Sequence, residues 1–149
     1  MELHIAKDPA QLSENVAAWI SNYILEVLQE QERFTFVLSG GNTPRQLYSL
    51  LAKAPYNMVI PWEKIHFFWG DERDVPFDDE RNNARMAFRE LLDKVGANPE
   101  NIHVMRTDIG PEAAAAEYEN ILKSYFGNDG PTFDLVLLGM GEDGHTLSL

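Results

Sequence analysis

Three short stretches concentrate the residue types that do chemistry: Ser39-Gly40-Gly41-Asn42-Thr43-Pro44, Gly70-Asp71-Glu72-Arg73 and Gly139-Met140-Gly141-Glu142-Asp143-Gly144-His145. The first places two glycines and three short polar side chains just before a proline, as in a turn that opens a helix. Such a helix start attracts an anion, because its free N–H groups and the helix dipole point outward and glycine lets the ligand approach the backbone. An ordinary strand-to-helix turn, whose glycines only solve a dihedral problem, has the same appearance. The stretch lacks the Gly-Lys-Ser/Thr ending of a P-loop and the three-glycine spacing of a dinucleotide fingerprint, which argues against ATP and NAD.

The second stretch sets two carboxylates beside a guanidinium, whose fork suits carboxylate or phosphate oxygens. Asp71 is a candidate base or ligand-orienting group there, and a solvated loop with local ion pairs is the plainer alternative. In the third, His145 follows a glycine-rich turn, with Asp143 close enough in sequence to orient or charge it, an arrangement suited to proton transfer near neutral pH. A metal site would need further ligands, and no Cys or His-x-x-x-His pattern supplies them, so none is expected. His4, His66 and His103 fall in or beside expected strands and read as packed or surface residues. Neither Ser39 nor Ser148 sits in a Gly-x-Ser-x-Gly elbow, which weakens a serine hydrolase reading.

These stretches need elements to hold them. Leu3 to Ile5 reads as a short strand. Asp8-Pro9 then opens a helix carrying Leu12, Val16, Trp19, Ile20, Tyr23, Val27 and Leu28 at helical spacing and ending by Arg33. Phe34 to Leu38 is an apolar strand entering the first stretch. Thr43 as N-cap and Pro44 as first residue start a second helix with Leu47, Leu50 and Leu51, stopped by Pro55. Ile65 to Trp69 is a strand entering the second stretch, and a loop to about Glu80 precedes a helix with Ala84, Ala87, Phe88, Leu91, Leu92 and Val95. Asn101 to Met105 reads as a strand. Pro111-Glu112 opens a helix bearing Ala114, Tyr118, Ile121, Leu122 and Tyr125, and residues 127 to 131 turn the chain. Phe133 to Leu138 is a last strand, running into the third stretch. Strands alternate with helices, and their apolar runs are continuous, as when both sheet faces are covered. The expected class is α/β, a mainly parallel doubly wound sheet in a single domain over residues 1 to 149. All three stretches then follow strand carboxyl ends, where such sheets bind ligands.

Composition narrows the partners. With 149 residues, 44% hydrophobic, the chain is long enough for one core and too apolar for disorder despite a net charge of -12. That charge, with a pI near 4.6, disfavours nucleic acid and anionic membrane surfaces, so an anionic ligand must be held by local donors. No stretch approaches a membrane span or the pattern of a signal peptide. The absence of cysteine excludes disulfides and thiolate chemistry and fits a cytoplasmic location.

Taken together, the three stretches resemble the hallmarks of the 6-phosphogluconolactonase family: Ser-Gly-Gly-x-Thr-Pro at 39 to 44, Asp-Glu-Arg-x-Val-Pro at 71 to 76, and Gly-Met-Gly-x-Asp-Gly-His-Thr-x-Ser-Leu at 139 to 149. Asn83 also matches the family's Ser-Asn after the second motif, whereas Asn82 departs from it, and Leu147 stands where alanine is usual. Family members continue past the third motif, into a part that completes the sheet and adds basic substrate contacts. The chain accordingly reads as lacking its C-terminal part.

The resemblance implies hydrolysis of 6-phospho-D-glucono-1,5-lactone to 6-phosphogluconate, a step of the oxidative pentose phosphate pathway, with no cofactor. His145 is implied as the general base, Asp143 as the holder of its turn, and Asp71 as the group that positions substrate hydroxyls or Arg73. Arg73 is implied as partner of the carbonyl oxygen or, alternatively, as a second phosphate ligand. Ser39, Gly40, Gly41, Asn42 and Thr43 are implied to bind the sugar phosphate. A sugar-phosphate isomerase or deaminase, which resembles this fold and also carries an Asp-Gly-His turn, is the alternative enzyme, with Asp71 abstracting a substrate proton. A sugar-phosphate-binding module without catalysis is the alternative outside enzymes. The sequence carries no signal for oligomeric state.

Overall fold

The computed structural model describes residues 2–127, 130 and 132–149. Helix α1 (Pro9–Glu30) is opened by Asp8, whose carboxylate accepts the Gln11 N–H at 2.8 Å, and Pro9 fills the first turn, where no N–H is needed. Its most buried face is made of Ser13, Ala17, Ile20, Ser21 and Ile24, so the apolar stripe is rotated from the expected one. Trp19 instead stacks on Tyr23 at the surface, with ring centroids 5.1 Å apart. The small side chains on the inner face let α1 approach the sheet and α2 (Asn42–Leu51) closely.

Strands β1 (Phe34–Leu38) and β2 (Ile65–Trp69) pair in parallel, and β3 (Leu135–Val136) pairs in parallel along the other edge of β1. Phe34, Phe36, Leu38, Ile65, Phe67 and Trp69 pack in one apolar cluster with residues of α1, α2, the short α3 (Tyr56–Val59) and α4 (Asn83–Glu90). On the opposite face Val37 and Phe68 pack against Tyr118 of α5 (Pro111–Phe126), joined by Ile121, Leu122 and Tyr125. The fold is therefore α/β, a parallel three-stranded sheet with helices on both faces.

Several expected elements are shorter. Leu3 to Ile5 forms no strand and is exposed. The expected strand over Asn101 to Met105 reduces to a single bridge from Ile102 to Phe67. Asn101 itself closes a 3-10 turn, and its amide is spent on the Glu63 carbonyl at 3.0 Å. The third long helix stops at Glu90, because Leu91 leaves helical geometry, and Leu92–Lys94 continue as a 3-10 turn. The last strand pairs only at Leu135–Val136, followed by one further bond from the Leu137 N–H to the Val37 carbonyl. Of the expected turn over 127 to 131, Gly127 and Gly130 have positive φ, and Asn128, Asp129 and Pro131 lie outside the described residues.

Asp134 fastens β3 to β1. Its Oδ2 accepts both the N–H and the hydroxyl of Thr35 at 2.7 Å, its own N–H donates to the Thr35 hydroxyl at 2.8 Å, and Gln31 donates to its Oδ1 at 2.9 Å. Side chains thus take over where the short strand's ladder ends. Replacing Asp134 with alanine leaves the Thr35 N–H without this acceptor and is expected to lower stability by about 2 kcal/mol. Urea unfolding reads this directly, and a loss under about 0.5 kcal/mol would mean that apolar packing alone sets the register.

Candidate functional site

Across the sheet the order runs Ile102, β2, β1, β3, so the chain moves outward from β1 and then returns to its opposite edge. The order reverses between β1 and β3, and a crevice for ligands opens beyond their carboxyl ends. There Ser39, Gly40, Gly41, Asn42, Thr43 and Pro44 face Gly139, Met140, Gly141 and His145 across a cleft of about 290 Å³, with Asp71, Arg73, Asn83 and Leu147 completing its walls. The structure brings together every residue singled out for the site except Asp143, which stands outside the cleft wall with an exposed side chain.

Two buried tyrosines fix the strand ends. The Tyr48 hydroxyl accepts the Ser39 N–H and donates to the Ser39 carbonyl, both at 2.9 Å, which holds the last residue before the glycines. The Tyr118 hydroxyl accepts the Trp69 N–H at 2.9 Å, just before Gly70. Burial pushes the Tyr118 phenol up to about 12 and raises that of Tyr48 as well, so both keep the proton they donate.

The helix start differs from expectation. Gly41, not Thr43, is the cap residue, with φ +101, and α2 begins at Asn42, so Thr43 and Pro44 lie within its first turn. The earlier start arises because Gly41 can take a left-handed φ, which lets its carbonyl accept the Arg45 N–H at 3.2 Å. No side chain caps this terminus, so its outward N–H groups are available to an anion.

Glu72 turns away from the cleft's chemistry. Its carboxylate accepts the N–H groups of Asn83 at 2.7 Å and Ala84 at 2.8 Å, capping α4, and also that of Arg73 at 2.7 Å. Burial pushes its carboxyl above the usual range, opposed by these three bonds. Asn83 then donates to the Asp71 carbonyl at 3.3 Å and packs on Gly40, where a Cβ would fall 1.9 Å from its Oδ1. A side chain at position 40 would therefore displace the Asn83 amide from its place against the first loop. Asn83 was legible only as a motif position and not as a site residue.

Asp71 accepts a hydrogen bond from the Ser148 hydroxyl at 3.1 Å and makes no ion pair with Arg73, so an Asp71 carboxylate that orients Arg73 is not what is seen. His145 packs over Gly141, and its Nδ1 meets the Asp143 carboxylate. This contact holds the Asp143 carboxyl below its ordinary range, so the imidazole keeps an anionic partner as the pH falls. The Gly141 N–H donates to the His145 carbonyl at 2.8 Å and the Thr146 hydroxyl to the Gly139 carbonyl at 2.7 Å, which closes the turn. Leu147, with φ +54, lays its side chain on Gly70, where a Cβ would lie 2.7 Å from Leu147 Cδ2. The larger residue is therefore accommodated by the glycine that ends β2.

Among the described residues no helix is long and apolar enough to cross a membrane. A family model described as "Glucosamine-6-phosphate isomerases/6-phosphogluconolactonase" matches residues 7–149. A 6-phosphogluconolactonase of Synechocystis sp. is 45% identical over 142 residues, covering 93% of this chain and 58% of the relative. The crystal structure of 6-phosphogluconolactonase from Thermotoga maritima superposes with a TM-score of 0.86 at 33% identity, covering 98% of this chain and 62% of that one. A monomeric glucosamine-6-phosphate deaminase shares the fold, with a TM-score of 0.81 at 20% identity. The chain thus spans somewhat over half the length of these proteins.

Proposed function

The chain belongs to the glucosamine-6-phosphate isomerase/6-phosphogluconolactonase family, and from that premise we propose that it hydrolyses 6-phospho-D-glucono-1,5-lactone to 6-phosphogluconate. The observation that carries this reading is the cleft in which His145 faces the uncapped start of α2. One end can move a proton and the other can hold a phosphate. A cytoplasmic setting, and residues 1 to 149 acting as one domain, are part of the same proposal.

His145, as neutral imidazole, takes a proton from the water that attacks the lactone carbonyl. The tetrahedral adduct collapses with cleavage of the bond between C1 and the ring oxygen, and His145 returns its proton to that oxygen. Asp143 contributes from outside the cleft by fixing the imidazole through Nδ1, which leaves Nε2 for the water. Asp71 lies in the cleft wall, where its carboxylate can accept substrate hydroxyls. Gly40 to Thr43 offer backbone N–H groups to the phosphate, with Arg73 beside them.

The test is the rate of 6-phosphogluconate formation from freshly prepared lactone, against its spontaneous hydrolysis. A protein-dependent rate that scales with concentration is expected. No added rate, together with release of ammonia from glucosamine 6-phosphate, would replace the lactonase reading by the deaminase one.

A further inference from the structure

The Asp71 carboxylate lines the cleft without a paired cation among the described residues. Its one protein partner there is the Ser148 hydroxyl, which donates to Oδ2 at 3.1 Å. The backbone of Asp71 is held separately, by the Asn83 amide on the Asp71 carbonyl at 3.3 Å. The type of partner matters. A guanidinium would orient the carboxylate and also neutralise it, whereas a neutral hydroxyl fixes the side chain and leaves the negative charge for other donors. Oδ1 accepts no hydrogen bond from the described residues, which leaves it open to a ligand in the cleft.

Ser148 reaches Asp71 because of how its own segment folds. Thr146 to Leu149 form a tight turn, closed by the Leu149 N–H on the Thr146 carbonyl at 3.1 Å. Leu147 enters this turn with φ +54, a left-handed conformation that a leucine keeps only where its surroundings hold it. The hold is visible on both sides. The Thr146 hydroxyl donates to the Gly139 carbonyl at 2.7 Å, and the Leu147 side chain lies on Gly70, the residue before Asp71. Leu147 thus acts as the spacer that sets Ser148 against Asp71. His145 immediately precedes the turn, so the stretch 145 to 148 carries the imidazole at one end and the partner of the Asp71 carboxylate at the other.

We infer that Ser148 is a positioning residue, whose hydroxyl holds the Asp71 carboxylate so that Oδ1 accepts a hydroxyl of a sugar-phosphate ligand in the cleft. The inference rests on the lactonase reading only for the identity of that ligand.

Binding of 6-phosphogluconate to the whole chain, measured by calorimetry, tests this apart from turnover. Ser148→Ala is expected to weaken binding about fivefold, the contribution of one net hydrogen bond, and Ser148→Thr, which keeps the hydroxyl, to restore it to within about twofold. Asp71→Ala should weaken binding at least as much as Ser148→Ala. The deciding measurement adds Ser148→Ala to Asp71→Ala. With no carboxylate left to position, the second substitution should change affinity by less than about 1.5-fold, whereas the loss of a merely structural contact would multiply with the first. Ser148 is exposed, so its variants should keep the fold, which thermal unfolding checks. Multiplying losses, an unaltered affinity in Ser148→Ala, or no 6-phosphogluconate binding by the unmodified chain would each overturn the inference. The lactone assay judges the reaction separately: turnover with multiplying losses removes only the role of Ser148, and coupled losses without turnover remove only the lactonase reading.

Discussion

His145→Ala is expected to lower lactone turnover by about two or more orders of magnitude, the range for removal of a general base. The histidine is half-exposed, and its structural contacts are those of a short turn. The backbone bond from Gly141 to the His145 carbonyl and the Thr146 to Gly139 bond survive the substitution, so little stability should be lost. Initial rates corrected for spontaneous hydrolysis, beside a thermal unfolding curve, separate chemistry from folding. Asp143→Asn provides the graded control: it removes the anion that fixes the ring and leaves the proton acceptor in place, so its loss should be smaller than that of His145→Ala. Turnover unchanged by His145→Ala would remove the histidine from the mechanism and return weight to Asp71, the carboxylate in the cleft wall.

The residues that form the site were legible because each group is contiguous in sequence and follows an apolar strand. Ser39 to Pro44, Asp71 with Arg73, and the turn to His145 announce themselves by glycine and by charge where a strand must end. What holds them was not legible. Tyr48 grips Ser39 from 9 residues away, Tyr118 grips Trp69 from 49, and Asp134 grips Thr35 from 99. In sequence Tyr48 lies beside a helix stripe, Tyr118 on one and Asp134 within an apolar strand, so none of the three is marked as a polar anchor. Only the folded chain shows which backbone group each polar atom was placed to satisfy. Local geometry defeated the helix start for a related reason: Thr43-Pro44 has the composition of a cap and first turn, yet the left-handed φ of Gly41 lets the helix begin two residues sooner. The last strand was overestimated because apolar composition sets the length of a run, whereas pairing is set by the partner. β1 offers β3 only two paired residues before the glycine turn.

Arg73→Gln is expected to reduce kcat/KM for 6-phosphogluconolactone by about 10- to 100-fold, the loss that accompanies removal of charge-assisted bonds to a phosphate. The sequence alone left Arg73 between two tasks, the carbonyl oxygen and the phosphate. The structure places it in the cleft wall with the first loop and the uncapped start of α2. That position favours the phosphate end, and the two tasks separate by substrate. If Arg73 binds phosphate, unphosphorylated glucono-1,5-lactone never used it, and its slow hydrolysis should change by less than about threefold in the variant, because no bond made to that substrate is lost. If Arg73 acts on the carbonyl oxygen, the charge developing there is the same in both lactones, and both rates should fall together by about two orders of magnitude. The side chain is exposed and makes no ion pair among the described residues, so neither result should be clouded by unfolding. Equal losses on the two lactones would move Arg73 to the reacting end and leave the phosphate to the first loop.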